Sequence, residues 1–449
     1  MKMNENFKFK KIFFVGVGGI SMSGLCKISS FLGADVLGSD ISNNEETVKL
    51  EAMGIKIFHK HDYNNVPSDT TLLVFSGAIS NSNPELRFAR DHNIQVMERS
   101  EYLGQIDKLF NNVIAVSGTH GKTTTTAMIA HILYKAGYNP TIHLGGESVN
   151  LQDNTIIGGN EILVVEACEY RESFKFLRPQ SLIITNIEAD HLDYYHNLKE
   201  IVSAFTRLKN KSKFLIRPSD VNVTSKNELV INRDFEIKET KFVDNGYQFV
   251  VYLNNSYYDT FRLNMLGKHN INNAMYAIAL CHHLGLSKDK IKDGLSTFLG
   301  VKRRYERIGM VNNVPIIIDY AHHPTEIKNS IAGVEEVYNN PLIVFQPHTY
   351  SRTKSLMNDF ANVLSNKNCI IYPTYPAREE EIAGGTALDL YDEIMRNNTI
   401  NSCDKLLIYV DQIDSVFQKI NKLLQSGSFD CVLILGAGNL ADNLRKYYK

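Results

Sequence analysis

The densest concentration of chemistry in this chain is the run Val113-Ile-Ala-Val-Ser-Gly-Thr-His-Gly-Lys-Thr-Thr-Thr-Thr126. An apolar strand enters a glycine turn, and Lys122-Thr123 opens a helix. Gly118 and Gly121 let backbone N–H groups of the turn, including those of Thr119 and His120, point inward at phosphate oxygens. The start of the helix adds the positive end of its dipole. Lys122 can reach the terminal phosphates, and the Thr123 hydroxyl can sit on a Mg²⁺ ion. The spacing is not the usual Gly-x4-Gly-Lys, because Val116 occupies the first glycine position and Gly118 serves instead.

A second glycine loop, Gly16-x-Gly18-Gly19-x-Ser21-x-x-Gly24, follows the first apolar run. It is close to the dinucleotide fingerprint, with Ser21 in place of the third glycine and Asp40 where a ribose-binding acid belongs. Such a loop points to a nucleotide diphosphate more firmly than to a nicotinamide cofactor. The plain alternative is a tight structural turn.

Acidic residues come next. Glu166 ends one apolar run, Glu169 lies three residues on, and Thr185-Asn-Ile-Glu188-Ala-Asp190-His191 ends the next run. Carboxylates at the C-terminal ends of parallel strands face the ligand crevice and suit Mg²⁺, which takes oxygen ligands. His191 is a less usual ligand for that ion. Glu169, Glu188 and Asp190 also read as caps or solvated acids. In the last third, Asp319-Tyr320-Ala-His322-His323-Pro324-Thr-Glu326 and Gln346-Pro-His348-Thr-Tyr350-Ser-Arg352 again follow apolar runs. Arg352 can clamp a carboxylate or a phosphoryl group, and His322 can orient an amine or a carboxylate. His323 and Thr325 read equally as a helix start. Asn270 and Asn273, in Gly267-Lys-His-Asn270-Ile-Asn-Asn273, suit either a helix cap or an adenine edge.

The elements that position these groups read as α/β. The first third predicts strands at Ile12–Val17, Ala34–Leu37 and Leu72–Phe75 with a helix over Met22–Leu32, Gly38-Ser39-Asp40 ending the second strand. A new strand starts at Asn112–Ser117, a helix runs from Lys122 to about Ala136, and strands follow at Ile162–Glu166 and Ser181–Asn186. Residues 220–265 read as an antiparallel insert, followed by a helix from Asn272 to Leu284. The last third restarts at Val314–Asp319, with strands at Leu342–Gln346, Cys369–Tyr372 and Cys431–Leu435. Three restarts suggest three parallel-sheet domains, and a length of 449 residues is compatible with two to four.

Bulk composition narrows the partners. A formal net charge of -1 gives no global attraction to nucleic acid or an anionic membrane, so any anion binding must be local. Cys26, Cys168, Cys281, Cys369, Cys403 and Cys431 form no CxxC pair and read as reduced thiols. The N-terminal MKMNENFKFKK leads into no signal core, and a soluble cytoplasmic protein is expected.

Together these motifs resemble the Mur ligase family. The resemblance rests on GVGGISMSG, SGAISNSNPE, SGTHGKTTTT, EACEYRESF, TNIEADHLDYY, GKHNINNA, VKRRYERIG, DYAHHPTEI and FQPHTYSRT, in that order along nearly the whole chain. It implies a Rossmann-like UDP-sugar-binding domain over residues 1–108, a P-loop ATP-binding domain over 109–308, and an α/β amino-acid-binding domain over 309–449. It further implies ATP-dependent joining of L-alanine to the carboxylate of UDP-N-acetylmuramate through an acyl phosphate, as a step in peptidoglycan precursor synthesis. By matching positions, Gly118, Thr119, His120, Gly121, Lys122, Thr123, Thr124, Asn270 and Asn273 would hold ATP. Thr123, Glu166 and His191 would hold Mg²⁺. Gly18, Gly19, Ser21, Ser23, Asp40, Ser76 and His191 would hold the UDP-sugar. Tyr320, His322 and Arg352 would face the amino acid, with Lys122, His322 and Arg352 in catalytic roles. Gly16-loop residues Ser21, Ser23 and Asp40 mark the branch whose acceptor is L-alanine. Two readings compete: a murein-tripeptide recycling ligase, which shares most motifs, and a nucleotide-binding oxidoreductase, which leaves the Gly118–Thr126 run without a role. Thr349 departs from the family pattern, standing where many relatives carry Arg. Phe205 and Thr206 stand in the stretch where sister ligases carry a modified lysine, which the alanine-adding branch does not require.

Overall fold

The structure, a computed structural model, describes residues 7–191 and 194–448; Leu192 and Asp193 of the TNIEADHLDYY motif lie outside the described residues. Three sheets carry the chain. The first contains β1 (Lys11–Val15), β2 (Asp35–Ser39), β3 (Lys56–Phe58), β4 (Leu72–Phe75) and β5 (Gln95–Glu98). Its order is β3-β2-β1-β4-β5, with every pair parallel. The order reverses beside β1, so the loop after β1 opens into the crevice at a topological switch point.

The second sheet contains β6 (Asn112–Ser117), β7 (Thr141–Ser148), β8 (Asp153–Ile156), β9 (Ile162–Glu166), β10 (Ser181–Ile184), β11 (Phe214–Pro218), β12 (Glu228–Ile231), β13 (Phe235–Val243), β14 (Gly246–Leu253) and β15 (Ser256–Leu263). Its order is β15-β14-β13-β12-β11-β10-β6-β9-β7-β8. β6 lies between β9 and β10, parallel to both, so the C-terminal ends of all three strands come together. The third sheet contains β16 (Glu306–Val311), β17 (Val314–Asp319), β18 (Pro341–Phe345), β19 (Asn368–Ile371), β20 (Leu407–Tyr409) and β21 (Cys431–Leu435). Its order is β16-β17-β21-β18-β19-β20, parallel except for the β16 edge.

These elements form two compact units. One runs to Thr240 and adds Gln248–Leu263 and Asn273–Leu299; the other comprises Lys241–Tyr247, Asn264–Asn272 and the chain from Gly300 onward. The first two sheets therefore share a unit, and one apolar core joins them, from Phe14 and Tyr102 to Val113, Leu163 and Phe205. No helix among the described residues is long and apolar enough to cross a membrane.

Four local expectations are corrected. β2 continues through Gly38 and Ser39, because Gly38 lets β2 press against β1: a Cβ there would lie 2.3 Å from Val17 Cγ1 and 2.7 Å from the Phe14 carbonyl. The first helix, Ile20–Phe31, starts before Met22, with Gly19 as its cap. β10 ends at Ile184, which frees Thr185 and Asn186 to support the neighbouring loop. Finally, the stretch 220–265 is not wholly antiparallel. β12 pairs parallel with β11. The hairpins follow it, at Asp244-Asn245 and Asn254-Asn255, where both residues of each two-residue turn have positive φ.

Candidate functional site

The candidate phosphate-binding loop lies between β6 and the helix Lys122–Lys135. Gly118 has φ 137 and Gly121 φ 82, backbone conformations that side chains disfavour. The loop is fixed from β10: His120 N–H donates to Asn186 Oδ1 at 2.8 Å, Thr119 N–H to the Asn186 carbonyl at 3.2 Å, and Thr185 Oγ1 to the His120 carbonyl at 2.6 Å. Asn273 sits against Gly121, its Oδ1 2.5 Å from where a Cβ would stand. Asn270 is buried, and its Nδ2 donates to the Leu266 carbonyl at 2.7 Å, just before the helix His269–His283.

Lys122 Nζ donates to the Gly118 carbonyl at 2.6 Å, to the Thr119 carbonyl at 3.0 Å and to Glu169 Oε1 at 3.0 Å. Burial opposes its charge most strongly of any single influence, but Glu169, Cys168 and Glu166 together outweigh it and raise its pKa. Glu169 is itself buried, which favours its neutral form; Lys122 and then His191 override this and lower its pKa. Glu169 thus joins Lys122 to His191, whose Nε2 is 3.4 Å from Glu169 Oε1. Beside them, Thr123 Oγ1 donates to Glu166 Oε2 at 2.7 Å, and the Gly145 N–H reaches the same oxygen at 3.1 Å. Two hard oxygen donors in contact, at the mouth of a phosphate loop, suit Mg²⁺.

In the same unit, the Gly16–Gly19 loop crosses the C-terminal end of β1. Asp40 Oδ2 accepts the Gly18 N–H at 2.7 Å, and Asp40 Oδ1 holds Ser42. Ser76 lies beside Gly16, its Cβ 3.2 Å from where a side chain there would begin. Ser21 Oγ meets His143 Nε2 at 2.9 Å and accepts from Arg99 Nη1 at 3.0 Å. Ser23 is not brought into this cleft: it is fully buried, and its hydroxyl donates to Glu46 Oε2 and packs against the Ile20 carbonyl.

The other unit holds a separate cluster at the ends of β17, β18 and β21. Asp319 is buried, accepts N–H groups from Ala321 and Tyr305, and has its pKa raised by burial, with Arg304 opposing. His322 Nδ1 lies 3.1 Å from the Tyr320 carbonyl and 3.3 Å from Glu326, and its ring meets that of His348 at 5.8 Å. Arg352 Nη1 approaches His348 Nδ1 at 3.4 Å. Burial, and then Arg352, lower the His348 pKa to about 4, so this imidazole is neutral. Tyr320 lies under the guanidinium groups of Arg303 and Arg304. His323 caps the helix Pro324–Glu335, accepting the Thr325 N–H, as its place before Pro324 suggests.

Three family-model matches cover these regions. The Mur ligase family catalytic domain model matches residues 11–111, the middle domain model residues 116–281, and the glutamate ligase domain model residues 303–438. A UDP-N-acetylmuramate–L-alanine ligase of Acetivibrio thermocellus is 38% identical over 96% of this chain and 94% of its own length. One of Clostridium novyi is 39% identical over 96% and 95%. The chain belongs to the Mur ligase family. A crystal structure of a UDP-N-acetylmuramate–alanine ligase from Thermotoga maritima matches this Mur ligase with a TM-score of 0.83 and 29% identity, over 98% of both chains. A murein peptide ligase from Psychrobacter arcticus shares the fold, with a TM-score of 0.70 and 24% identity over 97% and 98%.

Sequence reasoning left Glu169 undecided between cap and functional acid, and passed over Arg99 and His143. Arg99 lies in no motif, and its contact with Ser21 spans 78 residues. His143 sits inside β7 and reads as an ordinary polar residue of an alternating strand.

Proposed function

We propose that this Mur ligase joins L-alanine to the carboxylate of UDP-N-acetylmuramate with ATP as the energy source. The observation that carries the reading is the pair of anion-receiving loops in one unit, at Gly16–Gly19 and Gly118–Thr123. The agreement in name of relatives 38–39% identical along the chain supports L-alanine as the acceptor. We assign residues 1–108 to the UDP-sugar, 109–308 to ATP and 309–449 to the amino acid. Family membership weighs against an oxidoreductase, which would leave the Gly118–Thr123 loop unused.

In this reading Lys122 exchanges its bonds with the Gly118 and Thr119 carbonyls for phosphate oxygens of ATP. The loop N–H groups hold those oxygens in place. The muramate carboxylate attacks the terminal phosphorus, giving an acyl phosphate and ADP, and Lys122 offsets the charge that develops on the transferred group. The amine of L-alanine, held by Tyr320, His322 and Arg352, attacks the acyl carbon, and inorganic phosphate leaves from the tetrahedral intermediate. Thr123 and Glu166, with His191 as a third candidate, would hold Mg²⁺, which supplies charge neutralisation for the phosphates.

The test is phosphate release with UDP-N-acetylmuramate, ATP and Mg²⁺. Turnover that requires L-alanine is the expected result. Turnover with the L-alanyl-γ-D-glutamyl-diaminopimelate tripeptide and none with alanine would overturn it in favour of a recycling ligase.

A further inference from the structure

Arg99 is the first residue of the helix Arg99–Asp107, directly after β5. Its side chain is half-buried and turns to the first glycine loop, where Nη1 donates to Ser21 Oγ at 3.0 Å. Among the described residues no carboxylate forms an ion pair with it, and Ser21 is its one hydrogen-bond partner. A guanidinium carries five N–H donors in a planar fork, so most of this fork is left for something other than protein.

The surroundings favour an anion. The helix Ile20–Phe31 points its first turn at this place, has no side-chain cap and carries no acidic residue in that turn. Asp40 is occupied by the Gly18 N–H and by Ser42, Glu98 lies against Gly77, and His143 is buried. Burial, and then the charges of Arg99 and Lys27, lower the His143 pKa to about 3, so the ring is neutral and adds no competing cation. Because Arg99 can only donate, Ser21 accepts from it and donates its own proton to His143 Nε2. His143 Nδ1–H then donates to Thr155 Oγ1 at 3.3 Å. This chain, anchored in β7 and β8, fixes Ser21 and holds Nη1, which orients the rest of the fork.

We propose that Arg99 grips an anionic oxygen group of the UDP-sugar, and that Ser21, His143 and Thr155 are positioning residues that aim it. The shared chemistry is a charge-assisted, two-point contact of guanidinium with phosphate or carboxylate. The diphosphate and the lactyl carboxylate are its two possible sources. The inference rests on the assignment of the Gly16–Gly19 loop to the UDP-sugar.

The experiment is calorimetric titration of the full-length chain with UDP, UDP-N-acetylglucosamine and UDP-N-acetylmuramate, for wild type, Arg99→Met and Arg99→Lys. Arg99→Met is expected to weaken binding roughly 10- to 100-fold, the range for a charged hydrogen-bonding group. Arg99→Lys should recover part of that loss, since charge returns without the fork. An equal loss for all three ligands places the contact at the diphosphate; a loss confined to UDP-N-acetylmuramate places it at the carboxylate. ATP affinity should stay within about threefold. The proposal is overturned if all three ligands bind Arg99→Met within about threefold of wild type, or if Arg99→Lys is no better than Met for any of them. Absence of UDP-sugar binding to wild type would instead refute the assignment of the loop.

Discussion

Gly118→Ala tests whether the phosphate loop needs the geometry its glycine gives it. A Cβ at position 118 would lie 2.1 Å from Thr185 Oγ1, 3.0 Å from the Asn186 carbonyl and 3.1 Å from the Asn186 nitrogen. Thr185 can rotate away, but it then gives up its 2.6 Å bond to the His120 carbonyl, a loss of about 1 kcal/mol. The Asn186 backbone cannot rotate. It must shift, and with it go the bonds that hold Thr119 N–H and His120 N–H. The positive φ of 137 adds a further ~1–3 kcal/mol for any residue with a side chain. Together these give about 3 kcal/mol of destabilisation, or roughly 6–12 °C in melting temperature for a large domain.

A functional loss should accompany the loss of stability. The Asn186 contacts ask for a shift of a few tenths of an ångström; since a full 1 Å displacement of catalytic groups costs on the order of 100-fold in rate, kcat/KM for ATP is expected to fall by about 10-fold or more. Gly137→Ala is the matched control, at the far end of the helix the loop opens. Its φ is 86, but a Cβ there meets nothing within 4 Å. It should lose about 1 kcal/mol of stability and keep its activity. Far-UV circular dichroism melts and an ATP-dependent phosphate-release assay read both effects. The reasoning fails if Gly118→Ala melts within about 2 °C of wild type and keeps a third or more of its activity, or if Gly137→Ala is equally inactive.

Lys122→Ala should reduce phosphate release to background while the Kd for UDP-N-acetylmuramate changes by less than about threefold; a comparable loss of sugar binding would refute separate loops for the two nucleotides. Glu166→Gln is expected to raise the Mg²⁺ concentration for half-maximal rate about tenfold, and an unchanged Mg²⁺ titration would remove Glu166 from the ion site. Arg352→Met should raise KM for L-alanine or lower kcat without moving the ATP dependence, which initial-rate kinetics would show. His143, with a folded pKa of about 3, stays neutral while the unfolded chain protonates near pH 6.5. Its contribution is therefore complete above pH 6.5 and declines as pH falls towards 3, by up to about 1.4 kcal/mol per pH unit. Urea melts of wild type should lose more stability between pH 7 and 5.5 than those of His143→Gln; equal losses would show that His143 is not buried as neutral imidazole. Asp107, raised to about 6 by burial, has the opposite sign: its contribution is present at low pH and is lost as pH rises through 6.

What could be read from sequence was what depends on neighbours along the chain. β6, β9, β17 and β21 match the expected apolar runs residue for residue, because buried parallel strands need unbroken hydrophobicity on both faces. The Gly118–Thr123 loop was legible because strand, glycine turn and helix N-terminus are contiguous. Pairings distant in sequence were hidden. Gly38 looked like a strand end, since only the proximity of Val17 shows why a glycine continues the strand. β12 looked antiparallel, since nothing local reveals that its partner is β11. Ser23 looked like a member of the glycine loop, yet helix geometry turns it inward to Glu46.

The same distinction explains why sequence alone leaves Glu169 between a cap and a functional acid. Glu169 is three residues from Glu166, and one-dimensional spacing cannot rank them. The fold separates them by what each one holds. Glu166 takes the Thr123 hydroxyl, whereas Glu169 takes the Lys122 ammonium. A cation and a hydroxyl on adjacent residues at the start of one helix therefore each have their own carboxylate. On the proposed reading the two acids divide the work of the loop: Glu166 would offer oxygen to an ion, and Glu169 would keep Lys122 charged and in place until phosphate arrives. On that reading Glu169 would compete with phosphate for Lys122, so the charge that positions the lysine without nucleotide is also one that nucleotide binding would have to displace.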